Sequence, residues 1–92
     1  MILSIDQGTT GTTVMVIRSD GKILGRGYSE FRQIFPAPGW VSHDAEEIWD
    51  TTVQVMGQAI ENAGVSGGEI AGIGITNQRE TTVIWDRETG VP

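Results

Sequence analysis

Cysteine is missing from the 92-residue chain, which excludes disulfides and thiolate metal sites. Lysine occurs once, at Lys22, and six basic residues stand against twelve acidic ones. A formal charge of −6 with no basic stripe argues against a nucleic-acid footprint. No apolar run approaches the ~20 residues that span a bilayer. The start Met1-Ile2-Leu3-Ser4-Ile5 lacks the basic region and the length of a signal peptide. The expectation is therefore a cytoplasmic protein without nucleic-acid partners or membrane insertion. The single histidine, His43, has no second histidine or cysteine beside it and makes a poor metal site. A domain this short buries only roughly 60–65% of its unfolded surface, so its margin is thin.

What is present reads as alternating strands and one helix. Ile2–Ile5 is a short apolar run. Thr12–Arg18 is rich in valine, isoleucine and threonine, the composition of a second strand. Ser19-Asp20-Gly21 supplies a hairpin turn, and Lys22–Phe31 a third strand, interrupted by Gly25 and Gly27. Pro36, Pro38 and Gly39 mark an extended loop. Asp44 with Glu47 has capping-box spacing. Behind it, Ile48, Trp49, Val53, Met56, Ala59, Ile60 and Ala63 form an apolar stripe near helical period, closed by Gly64. Ile70–Asn77 reads as a fourth strand, with Gly72 and Gly74 leaving one face bare for close packing. Thr81–Asp86 reads as a fifth, and Arg87-Glu88-Thr89-Gly90 turns the chain back. Val91-Pro92 would begin a partner strand, so the expectation is an incomplete piece of a larger unit.

The order is thus β-β-β-α-β-β. A helix of this length is a crossover, able to lay strand four parallel to strand one. Their carboxyl ends would then share one edge, where open α/β sheets bind ligands. That edge would carry two polar segments, Asp6-Gln7-Gly8-Thr9-Thr10 and Thr76-Asn77-Gln78-Arg79-Glu80. In the first, Gly8 allows unusual torsions and close backbone approach, and successive N–H groups can converge on an anion. Thr9 and Thr10 add hydroxyl donors, while Asp6 can hold a hydrated magnesium ion but not a phosphate. The same five residues also read as an ordinary hairpin turn capped by an aspartate. In the second, Arg79 donates and Glu80 accepts, so the pair could grip adjacent hydroxyls of a polyol. It reads equally as a solvated loop with an arginine–glutamate pair. Neither a G-x-x-x-x-G-K-[ST] loop nor a G-x-G-x-x-G turn is present. Trp49 and Trp85 are expected in the core, and Trp40 in packing. Asp44, Glu46, Glu47 and Asp50 read as acids that favour the helix start.

Asp6-Gln7-Gly8-Thr9-Thr10 resembles the first phosphate motif of the actin, heat-shock chaperone and sugar kinase superfamily. Gly72–Gly90, with Thr-Asn-Gln-Arg-Glu-Thr-Thr at its centre, resembles the glycerol kinases of the FGGY carbohydrate kinases, as does Pro38-Gly-Trp-Val-Ser-His-Asp44 with Glu47-Ile-Trp49. The likeness covers nearly the whole chain. It implies an α/β, ribonuclease H-like (actin-like ATPase) mixed sheet, with residues 1–92 forming an incomplete part of the first FGGY domain. It implies ATP and Mg2+ as cofactors, glycerol as substrate, ATP-dependent formation of glycerol 3-phosphate, and a homo-oligomeric intact enzyme. By the resemblance, Thr9, Thr10 and Gly11 contact nucleotide phosphates, and Asp6 orients magnesium. Arg79, Glu80 and Thr9 lie at the glycerol site. The family's catalytic aspartate, adenosine pocket and second domain fall outside these residues, so the 92-residue piece is expected to be inactive alone. One departure stands out. Glycerol kinases carry Ser-Ser-Arg after the two threonines, and this chain carries Gly11-Thr12-Thr13. A kinase for a pentulose, gluconate or another polyol, and a catalytically inert interaction module, are the alternative readings.

Overall fold

The computed structural model describes residues 1–79 and 81–92. Four strands form one sheet in the order β3-β2-β1-β4. They are β1 (Ile2–Gln7), β2 (Gly11–Ile17), β3 (Ile23–Glu30) and β4 (Gly72–Asn77), with the helix α1 (Ala45–Ala63) between the third and fourth. The mixed α/β sheet expected from the sequence is therefore present. β1 pairs antiparallel with β2, and β2 with β3, while β4 lies parallel to β1. The β2–β3 turn closes at Gly21, whose φ of 87° is open to glycine. Asp20 Oδ1 accepts from the Lys22 N–H, and Arg18 forms a forked pair with the Asp20 carboxylate. The guanidinium holds the Asp20 carboxyl below its ordinary range.

α1 begins where the sequence places it. The Asp44 carboxylate accepts from the N–H groups of Glu46 and Glu47. The reciprocal half of the capping box is not made, because Glu47 turns to Arg32, with Nε at 2.9 Å. Gly64 closes the helix at φ 68°, donating to the Glu61 carbonyl.

The packing departs from expectation in an instructive way. The fully buried residues of α1 are Thr51, Thr52, Val55 and Ala59; of the expected stripe Ala59 is buried and Met56, Ile60 and Ala63 pack against the core, whereas Trp49 and Val53 are exposed. The helix lies over β2 and β3 and only grazes β1. Gly25 and Gly27 do not interrupt β3. A Cβ at Gly25 would stand 2.4 Å from the Ala63 nitrogen, and one at Gly27 2.8 Å from the Val55 carbonyl oxygen. These glycines let the helix settle onto the strand. The core is Leu3, Ile5, Val14, Val16, Val55 and Ala59.

On β4 a Cβ at Gly72 would meet Ile2 Cδ1 at an ordinary 3.5 Å, and the expectation of close packing fails at Gly74. Nothing among the described residues stands within 4 Å of a Cβ at Gly74. The fifth strand is also not found. Thr81–Asp86 has no ladder among the described residues, because a strand exists only through a partner and none lies beside it. Its turn does form. The Asp86 N–H donates to the Val91 carbonyl, and Asp86 Oδ1 accepts from the Glu88 and Thr89 N–H groups. Trp49 and Trp85, expected in the core, are 66% and 62% exposed, since α1 turns Trp49 away from the sheet and residue 85 lies outside any ladder. Trp40 is likewise exposed. Among the described residues, no helix is long and apolar enough to cross a membrane.

Candidate functional site

Register builds the site. β1 and β4 run parallel with Asp6 opposite Thr76 and Gln7 opposite Asn77. The residues that follow each strand therefore leave the sheet side by side, at the edge where open α/β sheets hold ligands. Leu3 and Ile5 face the core, so alternation turns Asp6 to the other, exposed face.

The loop after β1 is tight. The Gly8 N–H donates to the Gly11 carbonyl at 2.9 Å. Gly8 does not adopt positive φ. Its lack of a side chain serves close approach instead, since a Cβ there would stand 3.2 Å from the Gly11 oxygen. Gly11 is buried, and a Cβ on it would meet the Ser29 carbonyl oxygen at 2.6 Å and the Tyr28 hydroxyl at 2.8 Å. The carbonyls of the two threonines are tied. Thr10 O accepts from the Phe31 N–H at 3.3 Å, and Thr9 O from Gln33 Nε2 at 3.0 Å. Among the described residues, the N–H groups and hydroxyls of Thr9 and Thr10 have no such partner, and both residues are exposed. A loop with its acceptors spent and its donors unspent is suited to an anion.

Beside this loop lies an open cleft of about 1240 Å³, lined by Thr9, Gln33, His43, Gln78, Arg79 and the 81–84 segment among others. Thr9 and Arg79 thus meet on one cleft. Asp6, Thr10 and Gly11 are at the same sheet edge but do not line it. Glu80, the other half of the expected polyol grip, lies outside the described residues. Among the described residues, no group of three or more His, Asp and Glu side chains could hold a metal by itself. Magnesium does not need one: it keeps several waters and takes one or two carboxylates together with substrate phosphates. The exposed carboxylate of Asp6, at the strand end beside the unspent donors, fits that role.

Gln33 escaped the sequence reading, and His43 was weighed there only as a metal ligand. Gln33 and His43 are hydrogen-bonded to each other, Nε2 to Oε1, at 2.8 Å. His43 also packs edge-on against Phe31, centroids 5.1 Å apart. The sequence signal was thin: a histidine just before a helix cap and a glutamine after a strand, ten positions apart.

Comparison with known proteins shows which family the chain belongs to. The model of the FGGY family of carbohydrate kinases, N-terminal domain, matches residues 1–92. A glycerol kinase from Rhizobium meliloti is 58% identical over 91 residues, covering 99% of this chain and 18% of the relative. The crystal structure of Plasmodium falciparum glycerol kinase with ADP superposes with a TM-score of 0.87 at 40% identity, over 99% of this chain and 18% of that one. Ligand-bound xylulose kinase from Lactobacillus acidophilus shares the fold, with a TM-score of 0.75 at 23% identity over 84% of this chain and 15% of that one. The chain thus spans about a fifth of the length of the curated relatives it matches.

Proposed function

Since the chain belongs to the FGGY family of carbohydrate kinases, we propose that it serves an ATP-dependent glycerol kinase, supplying the first phosphate loop and part of the glycerol site. The observation that carries this reading is the parallel β1–β4 register, which sets Thr9 and Arg79 on one cleft. Phosphoryl transfer asks little covalent chemistry of a protein; it asks for alignment and for charge stabilisation. Thr9 and Thr10 bind the nucleotide phosphates through backbone N–H and hydroxyl donors. Gly11 contributes through its backbone, the space for a side chain being filled by Ser29 and Tyr28. Arg79 donates to one glycerol hydroxyl while Glu80 accepts from its neighbour, which fixes the primary hydroxyl for in-line attack on the γ-phosphoryl group. Asp6 would hold a hydrated Mg2+ ion, which would offset negative charge on the phosphates when bound.

The intact enzyme assayed with glycerol, xylulose, ribulose and gluconate tests the assignment. Glycerol is expected to give the highest kcat/KM, and a preference for a sugar or gluconate would overturn it. The Gly11-Thr12-Thr13 departure makes that comparison worthwhile, because the Ser-Ser-Arg that the resemblance implies would put an arginine where Thr13 stands. Replacing Glu80 by alanine is expected to raise the KM for glycerol strongly, on the order of 10²-fold, with the KM for ATP little changed.

A further inference from the structure

We infer that Gln33 and His43 form a brace that aims the phosphate-binding N–H of Thr10, making both of them positioning residues for phosphoryl transfer. This rests on the reading of the Thr9-Thr10 loop given above and adds two residues to it.

The bonding leaves one arrangement. Gln33 Nε2 faces two carbonyl oxygens, Thr9 O at 3.0 Å and Phe31 O at 3.3 Å. Only an amide nitrogen can donate to both, so Gln33 Oε1 is the acceptor end. His43 Nε2 stands 2.8 Å from Oε1 and must carry the hydrogen. The chain of bonds therefore runs in one direction, from imidazole to amide to the Thr9 carbonyl.

Peptide geometry carries the effect onward. Thr9 C=O and Thr10 N–H belong to one planar trans peptide and point in opposite directions. Tying Thr9 O to Gln33 turns Thr10 N–H away from the brace, outward and without an internal partner among the described residues. The loop is already joined to the strand-three side by the Phe31 N–H bond to Thr10 O. Gln33 is not needed for that closure. It fixes the next peptide plane, the one that presents a donor.

The support behind the brace is local and rigid. Ile34 and Ser42 exchange both backbone hydrogen bonds, at 2.9 and 2.7 Å, and clip the 35–41 loop at its base. Phe31 is buried against the His43 ring. On the outer side Arg32 pairs with Glu47 at 2.9 Å, tying the same segment to the start of α1. Misaiming a phosphate donor by about 1 Å is enough to cost up to about 10²-fold in rate.

The test uses the intact enzyme with Gln33→Leu, His43→Phe and the double variant. His43→Phe keeps a ring against Phe31 and removes only the donor. Gln33→Leu is expected to lower kcat/KM for ATP ~10-fold, with the KM for glycerol within about twofold of wild type. His43→Phe gives a smaller loss of the same kind. Because histidine acts through glutamine, the double variant is expected to be no worse than Gln33→Leu alone. Thermal midpoints measured alongside are expected to stay near wild type. Additive losses, equal effects on both substrates, or no kinetic effect at all would overturn the brace. If wild type prefers another polyol, the glycerol assignment fails, and the ATP arm is read with that polyol instead.

Discussion

The two halves of the sheet were built from similar residues and ended differently. On the β2–β3 side, α1 rests on the strands so closely that glycines at 25 and 27 are a steric requirement. On the β4 side, Ile73 and Ile75 sit in register with Leu3 and Ile5, yet are 55% and 70% exposed, while Leu3 and Ile5 are buried. Alternation assigns a side chain to a face. Burial requires a second layer over that face, and among the described residues α1 supplies it for only part of the sheet.

Large-to-small substitutions give the widest contrast. In the 92-residue chain by itself, Leu3→Ala is expected to destabilise the fold by about 2–5 kcal/mol, whereas Ile75→Ala changes it by about 0.5 kcal/mol or less. Denaturant titration measures both, and equal losses would break the comparison. Glycine substitutions sharpen it. Gly25→Ala forces a methyl group against helix backbone and is expected to cost about 1–3 kcal/mol. Gly74→Ala meets nothing within 4 Å and is expected to be neutral or slightly stabilising. A comparable loss at both would show that β3 glycines serve the strand and not the helix.

Capping comes next in size. Asp44→Ala removes an acceptor for two helix N–H groups and is expected to cost about 1 kcal/mol. The smallest effect lies at the turn beyond β4. The Thr89 and Glu88 N–H groups hold the Asp86 carboxyl below its ordinary range. A depressed folded pKa stabilises the turn above the unfolded value, ~4, and that stabilisation is lost as pH falls through the folded value. An NMR titration of the Asp86 carboxyl is expected to show a midpoint below that of a free aspartate, and an ordinary midpoint would remove the turn from the account.

How much of this was legible in the sequence follows the range of the forces involved. Asp20-Gly21, Asp44 and Gly64 are local signals, and each turn or cap stands where its residue type requires. The β1–β4 pairing was legible too, because a long helix between two apolar runs leaves few ways back to the sheet. Which side of α1 is buried was legible only in part, since Ala59, Met56, Ile60 and Ala63 of the expected stripe meet the core and Trp49 and Val53 do not. Trp49 and Val53 fit the helical period as well as Val55 does, and the choice was made by Gly25 and Gly27, some thirty residues earlier in the chain. The candidate site divides the same way. That Thr9 and Arg79 would share one edge followed from the strand ends, whereas Gln33 and His43 come together only through the Ile34–Ser42 clip.

The claim beneath the functional reading is that the loop after β1 and the segment after β4 serve one bound pair of substrates. Hydrogen–deuterium exchange on the intact protein, with and without glycerol plus ADP, tests it most directly. Peptides covering residues 6–12 and 76–82 are expected to gain protection together. Protection confined to one of them, or found in neither while nucleotide and glycerol are bound, would contradict the account.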